Sequence, residues 1–259
     1  MVVDVERTME NYRDAGNLKT RISIYQYRRE AFDPVEHAAG LLPRGLDLIL
    51  DVGAGFGRYT RRLREDRPEA TVVAVDKAPG MLAEVPEPAM VADAQAIPYP
   101  DGGVDGVLAL HMLYHVPDVA KAVAEFRRIL KPGGVLLAAT NAADDMGALY
   151  DLWRKAIETL PEADRYDPRG PLPNFDSANA PALLKARFDT VEAFEDTGLV
   201  SVPEPEPLLA YLRSARSLMD CGDEVYEASM LATGRLLDEY FAAHGTFDFE
   251  KRLVFYRCR

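Results

Sequence analysis

The sequence predicts an α/β fold whose sheet is assembled from β-α-β units, and two observations predict it. The stretch Leu48-Ile49-Leu50-Asp51-Val52-Gly53-Ala54-Gly55-Phe56-Gly57-Arg58 runs from an apolar strand ending in an acid, through three alternate glycines, into the start of a helix. Short apolar runs separated by helical stretches then recur, and the first two of them again end in acids: Ala70 to Val75 before Asp76, Ala89 to Ala92 before Asp93, and Val135 to Thr140 behind the turn Lys131-Pro132-Gly133-Gly134. Parallel strands buried on both faces read as such runs, with helices making the crossovers.

The glycine turn carries the first chemical signal. Glycine tolerates left-handed φ and lets a ligand lie against the main chain, while the helix that follows offers unpaired N–H groups and a positive dipole end. A dinucleotide fingerprint G-x-G-x-x-G would need glycine where Arg58 stands, which counts against a nicotinamide cofactor. The carboxylate of Asp51 suits a ligand that is cationic near the turn. Asp76, closing the second strand beside that turn, is placed to accept both hydroxyls of a ribose, and Asp93 with the neighbouring backbone is placed to read an adenine edge.

The blocks D-V-G-A-G-F-G, V-V-A-V-D, A-D-A-Q-A-I-P-Y-P-D, L-H-M-L-Y-H-V-P-D and L-K-P-G-G-V-L-L, taken in this order and spacing, resemble the class I S-adenosylmethionine (SAM)-dependent methyltransferases of the small-molecule type. The resemblance covers roughly positions 45 to 140. It implies a Rossmann-like, doubly wound, mostly parallel sheet of seven strands with one antiparallel strand, and S-adenosyl-L-methionine as cofactor. The positions it assigns to the cofactor are Asp51, Gly53, Ala54 and Gly55 in the turn, Asp76, Lys77 and Met81 after the second strand, Asp93 and Ala94 after the third, and His111 after the fourth. Arg21 is placed to reach the SAM carboxylate.

Composition narrows the partners. Acids outnumber bases by 42 to 30, a net charge of −12, and such a field repels a polyphosphate backbone, so no nucleic acid is expected as acceptor. No run of eighteen apolar residues and no signal segment opens the chain, so no membrane partner is expected and the location should be cytoplasmic. Cys221 and Cys258 lie far apart without C-x-x-C spacing and predict no metal site. The clusters Arg58, Arg61, Arg62, Arg64 and Arg127, Arg128, Lys131 read as solvated helix faces.

Along the chain, positions 1–44 read as an N-terminal helical arm, 45–140 as the SAM-binding core, and 141–259 as a C-terminal half with lid helices, all within one domain. Tyr12, Tyr25 and Tyr27 make the arm rich in amphipathic aromatics. Between the second and third strands a helix is expected from Asp76-Lys77-Ala78-Pro79. Val104 to Leu110 is a buried strand whose end delivers His111 and His115 to the carboxyl edge of the sheet, where ligands of open α/β sheets bind. Helices are expected at Asp144 to Leu160, which holds the only tryptophan, Trp153, at Ala180 to Phe188, Leu208 to Met219 and Glu224 to His244. Strands are expected at Asp189 to Phe194, Leu199 to Val202 and Arg252 to Tyr256, with a proline-rich loop at Pro161 to Pro173.

Methyl transfer from SAM is an in-line displacement that asks the protein mainly to align the acceptor and exclude water. A hydroxyl acceptor also needs a base, and an imidazole of ordinary pKa suits that task. His115 is the first candidate, His111 the second, with Tyr27 as partner. O-methylation of a small metabolite by a monomer or homodimer is the leading expectation. N- or C-methylation, or a SAM-binding cyclase or binding protein on the same fold, are the alternatives.

Overall fold

The structure is a computed structural model that describes residues 4–161, 165–168 and 174–259. Seven strands form one sheet in the order β3-β2-β1-β4-β5-β7-β6: β1 (Leu48–Val52), β2 (Thr71–Asp76), β3 (Ala89–Val91), β4 (Val104–Leu110), β5 (Leu130–Asn141), β6 (Val191–Val202) and β7 (Phe247–Cys258). The first five pair in parallel, and β7 runs antiparallel to both neighbours. This is the seven-stranded, mostly parallel sheet expected. The order reverses between β1 and β4, which opens a crevice at their carboxyl ends.

Strand alternation sends successive side chains to opposite faces. On one face Leu50, Val52, Val107, Ala109, Leu136 and Ala138 pack with α5 (Val119–Ile129) and α7 (Ala180–Lys185). On the other, Ile49, Leu108, Leu110, Leu137 and Ala139 pack with α3 (Pro34–Leu41) and α4 (Arg58–Asp66). Sequence chemistry sets the helix starts: Pro34 occupies the first turn of α3 while Asp33 caps the Val35 N–H, and Asp118 caps α5 through the Lys121 N–H.

A third apolar cluster lies beyond the sheet. Only Leu253–Cys258 of β7 pairs with β5, whereas β6 and β7 pair with each other from Val191 to Val202. The protruding half of this hairpin supports α6 (Gly147–Glu158), α8 (Pro205–Arg213) and α9 (Asp223–Ala243), with Trp153, Tyr226, Val200, Phe247 and Phe249 in one core. The arm, α1 (Val5–Asn11) and α2 (Gly16–Ser23), joins this side through Ile24.

Three expectations change. The helix expected after Asp76 is a single 3₁₀ turn, Pro79–Met81, because Pro79 and Gly80 start it and Pro86 and Pro88 follow within two turns. The strands expected at Asp189 to Phe194 and Leu199 to Val202 are one continuous β6, since Gly198 between them continues the ladder opposite Lys251. The helix expected at Leu208 to Met219 begins at Pro205 and ends at Arg213, with a separate 3₁₀ turn at Arg216–Leu218. Most of the proline-rich loop lies outside the described residues.

Gly198 has a second reason to lack a side chain. The Arg28 guanidinium, buried and bidentate on Asp196 at 2.5 and 2.9 Å, crosses directly over it. A Cβ on Gly198 would sit 2.0 Å from Arg28 Nε. Gly198→Ala should therefore lower unfolding stability by about 1–3 kcal/mol through overpacking, read as a lower denaturant midpoint. An unchanged midpoint would mean that Arg28 moves aside at no cost.

Candidate active site

A cavity of ≈ 250 Å³ lies at the carboxyl edge, over the β1–β4 reversal and under the N-terminal arm. Its floor is the glycine turn. Gly53, Gly55 and Gly57 have φ of 72°, 57° and 78°, so each occupies the left-handed region that disfavours other residues. A Cβ on Gly53 would meet Met112 Cβ at 2.5 Å, and one on Gly55 would meet Met81 and Leu18 at 3.3 and 3.4 Å. The backbone is thus bare where the loops after β1 and β4 converge.

Asp76 ties the turn to β2. Its Oδ2 accepts from the Gly55 N–H at 2.8 Å and its Oδ1 from the Ala78 N–H at 2.9 Å. Burial raises its pKa and these backbone donors oppose the rise. Lys77 donates to Asp93 Oδ2 at 2.8 Å, and Asp93 Oδ1 accepts from the Gln95 N–H. Gly53, Ala54, Gly55, Asp76, Lys77, Met81, Asp93 and Ala94 all line the cavity, so the structure brings this predicted set together.

Asp51 is different. It does not line the cavity: its side chain is buried beneath the turn, accepts from Thr60 Oγ1 at 2.6 Å, and is pushed up to about 6 by burial. Its direct contact is with the first turns of α4, not with the cavity space. Tyr27 does not line the cavity either and packs against the cluster of α6, α8 and α9, whereas Tyr25 of the same 3₁₀ turn, Ile24–Tyr27, does line it.

The tyrosine that meets His115 is Tyr12. Its hydroxyl lies 2.7 Å from His115 Nε2, with the rings edge-on at 4.9 Å. Arg21 lies over the Tyr12 ring at 5.2 Å, and donates to Ser214 O at 2.6 Å and to Asn11 Oδ1 at 2.9 Å. Asn11, buried, donates in turn to Ser214 O and Ser217 Oγ. These bonds stitch the arm to the end of α8. Arg21 lines the cavity, and the partners just named are neutral oxygens.

Both histidines line the cavity, and burial drives each down to about 3. Lys251 and Arg58 depress His111 further, and Arg21 does the same to His115. The ordinary imidazole pKa assumed in the sequence reading is thereby overturned: apolar walls and nearby cations disfavour the imidazolium, so both rings are neutral and weakly basic at neutral pH. His111 also holds φ 58°, an uncommon state for a side-chain-bearing residue.

The sequence reading does not place several cavity residues in the site, among them the following four, and it puts Arg58 on a solvated helix face. Asn141 closes β5, Lys251 leaves β7 just past its pairing with β5, Tyr211 comes from α8, and Arg58 opens α4 directly after the glycines. Only Arg58 carried a local signal, its place as first residue of the helix behind the turn. Among the described residues no group of three or more His, Cys, Asp or Glu is arranged to hold a metal, and no helix is long and apolar enough to cross a membrane.

Comparison with known proteins agrees with this geometry. Residues 50–138 match the family model described as a methyltransferase domain, which spans the glycine turn, Asp76, Asp93 and both histidines. An uncharacterized methyltransferase of Mycobacterium tuberculosis is 38% identical over 129 residues, 48% of this chain and 51% of that protein. The matched domain and this relative support a class I SAM-dependent methyltransferase. A malonyl-[acyl-carrier protein] O-methyltransferase of Geobacter sulfurreducens is 30% identical over 178 residues, 66% of this chain and 65% of that protein. The YcgJ protein of Bacillus subtilis has a similar fold, with a TM-score of 0.55 over 86% of this chain and 97% of that one at 17% identity. The chain spans about half the length of the mycobacterial methyltransferase it matches.

The neutral histidines generate a test. The ring proton shifts of His111 and His115 should stay flat in NMR between about pH 8 and about pH 5, whereas a base poised for neutral pH titrates near 6.5. A His115 midpoint between 6 and 7 would restore it as a general base.

Proposed function

We propose that this methyltransferase transfers the methyl group of SAM to an oxygen of a small-molecule acceptor. The observation that carries the reading is the bare glycine floor beside Asp76. A Cβ at Gly53 or Gly55 would intrude on the neighbouring loops, and Asp76 at the end of β2 lines the cavity with backbone donors on both carboxylate oxygens. A carboxylate so held keeps free lone pairs for a pair of ribose hydroxyls. Lys77 and Asp93 then flank an adenine, Met81 covers it, and Arg21 meets the carboxylate of the methionine moiety.

SAM supplies a methyl group on a sulfonium that leaves without acid assistance. The chain's own residues bind, orient and dry the site. Arg21, Asn11 and Ser214 hold the arm over the cavity, and the Tyr12–His115 hydrogen bond closes it above the β4 loop. His115 thus serves as a positioning residue, and catalysis proceeds by alignment and exclusion of water. The name of the Geobacter relative, an O-methyltransferase, supports oxygen as the acceptor atom.

Titration calorimetry with SAM tests the reading. Asp76→Ala leaves the ribose hydroxyls without their charged acceptor and should weaken SAM about tenfold to a hundredfold, from roughly 1.5–3 kcal/mol. Gly55→Val should abolish binding while circular dichroism stays native. Wild-type SAM affinity in folded Asp76→Ala would remove Asp76 from the site, and in folded Gly55→Val would show that the glycine turn is structural only.

A further inference from the structure

One end of the cavity is cationic in a way that cofactor binding leaves unused. Lys251 lines it, and its Nζ donates to Asn141 Oδ1 at 3.1 Å and pairs with Asp145. Two of its three ammonium protons are so occupied, which leaves one. Arg58 lines the same cavity, with Asp33 at 4.0 Å as its carboxylate partner. Lys251 and Arg58 line the cavity, whereas their carboxylate partners Asp145 and Asp33 do not. Arg58 also opens α4, whose dipole adds positive potential there.

This end differs from the glycine end, where the carboxylates of Asp76 and Asp93 themselves line the wall. Both Lys251 and Arg58 reach His111 electrostatically, so the three share one neighbourhood at the carboxyl edge of β4 and β5. Tyr25 lies beneath the Lys251 ammonium at 5.8 Å, and Tyr25 and Tyr211 both line the cavity. The subsite is therefore an aromatic-walled space with a fixed positive head.

We propose that Lys251, held by Asp145 and Asn141 and assisted by Arg58, recognises the acceptor by an anionic oxygen, a carboxylate or an ionised phenol on an apolar body. The proposal rests on the methyltransferase reading and supplies its substrate class. An oxygen that arrives ionised needs no base: its lone pair forms the O–CH₃ bond as the S–CH₃ bond breaks, and that bond's electron pair stays on sulfur. The neutral, weakly basic histidines are then adequate, because no proton has to be removed.

The probes are benzoate, 4-nitrophenolate and neutral benzyl alcohol, titrated at mildly alkaline pH into protein saturated with S-adenosylhomocysteine. At least one anion should bind about tenfold or more tighter than benzyl alcohol, and which one does separates a carboxylate from a phenolate acceptor. The double variant Lys251→Met, Asp145→Asn removes both charges without stranding either one and should abolish the preference. Asp145→Asn alone leaves Lys251 uncompensated and should tighten anion binding. A structural ion pair would not move the two variants in opposite directions. Equal binding of all three probes, or a preference that survives in the double variant, overturns the proposal. Failure of S-adenosylhomocysteine to bind defeats the methyltransferase reading instead, and the same titrations without it still decide the subsite.

Discussion

The bond from the Gly55 N–H to Asp76 Oδ2, 2.8 Å long, is the constraint on which the site depends. It joins the loops after β1 and β2, neighbouring strands on one side of the reversal between β1 and β4. The turn can close this way only because Gly53, Gly55 and Gly57 are all left-handed, and because Gly53 and Ala54 also donate to Val75 O at 2.7 and 3.0 Å. With the turn pinned to β2 on one side and against Met112 on the other, the start of α4 is fixed, and with it Arg58 at the cavity wall.

What the sequence made legible follows from range. The glycine turn, the acids ending β2 and β3, and the buried β4 run are local patterns whose geometry is set by neighbours in the chain, so Gly53, Gly55, Asp76 and Asp93 were found by inspection. Lys251 was not, since its partners Asn141 and Asp145 are more than a hundred residues away and meet it only because β7 runs antiparallel past the end of β5. Tyr12 was recognised as an arm aromatic, but nothing in its neighbours shows that α1 lays it on His115 while Tyr27 packs against the cluster of α6, α8 and α9.

Burial decides the rest of the chemistry. A histidine at a strand end looks like a base when its pKa is taken from water, yet desolvation and the cations nearby push both rings to about 3. Asp51 shows the same effect with opposite sign: under the turn, burial raises it to about 6 and the Thr60 hydrogen bond restrains the rise. In each case desolvation favours the neutral form, a shift that residue type alone does not reveal.

The cluster of α6, α8 and α9 and the cavity are linked by the same hairpin. The half of β7 that leaves the sheet carries Phe247 and Phe249 into that cluster, and the next residues along it, Glu250 and Lys251, hold the Met146 and Asp145 end of the loop before α6. Arg28 clamps the partner strand through Asp196 and sits at the base of the arm. Arm, helical cluster and the cationic end of the cavity therefore share one support. A change in the β6–β7 extension far from the glycine turn would be felt at Lys251 before it was felt at Asp76, because Lys251 lies on that extension whereas Asp76 is held by the turn after β1.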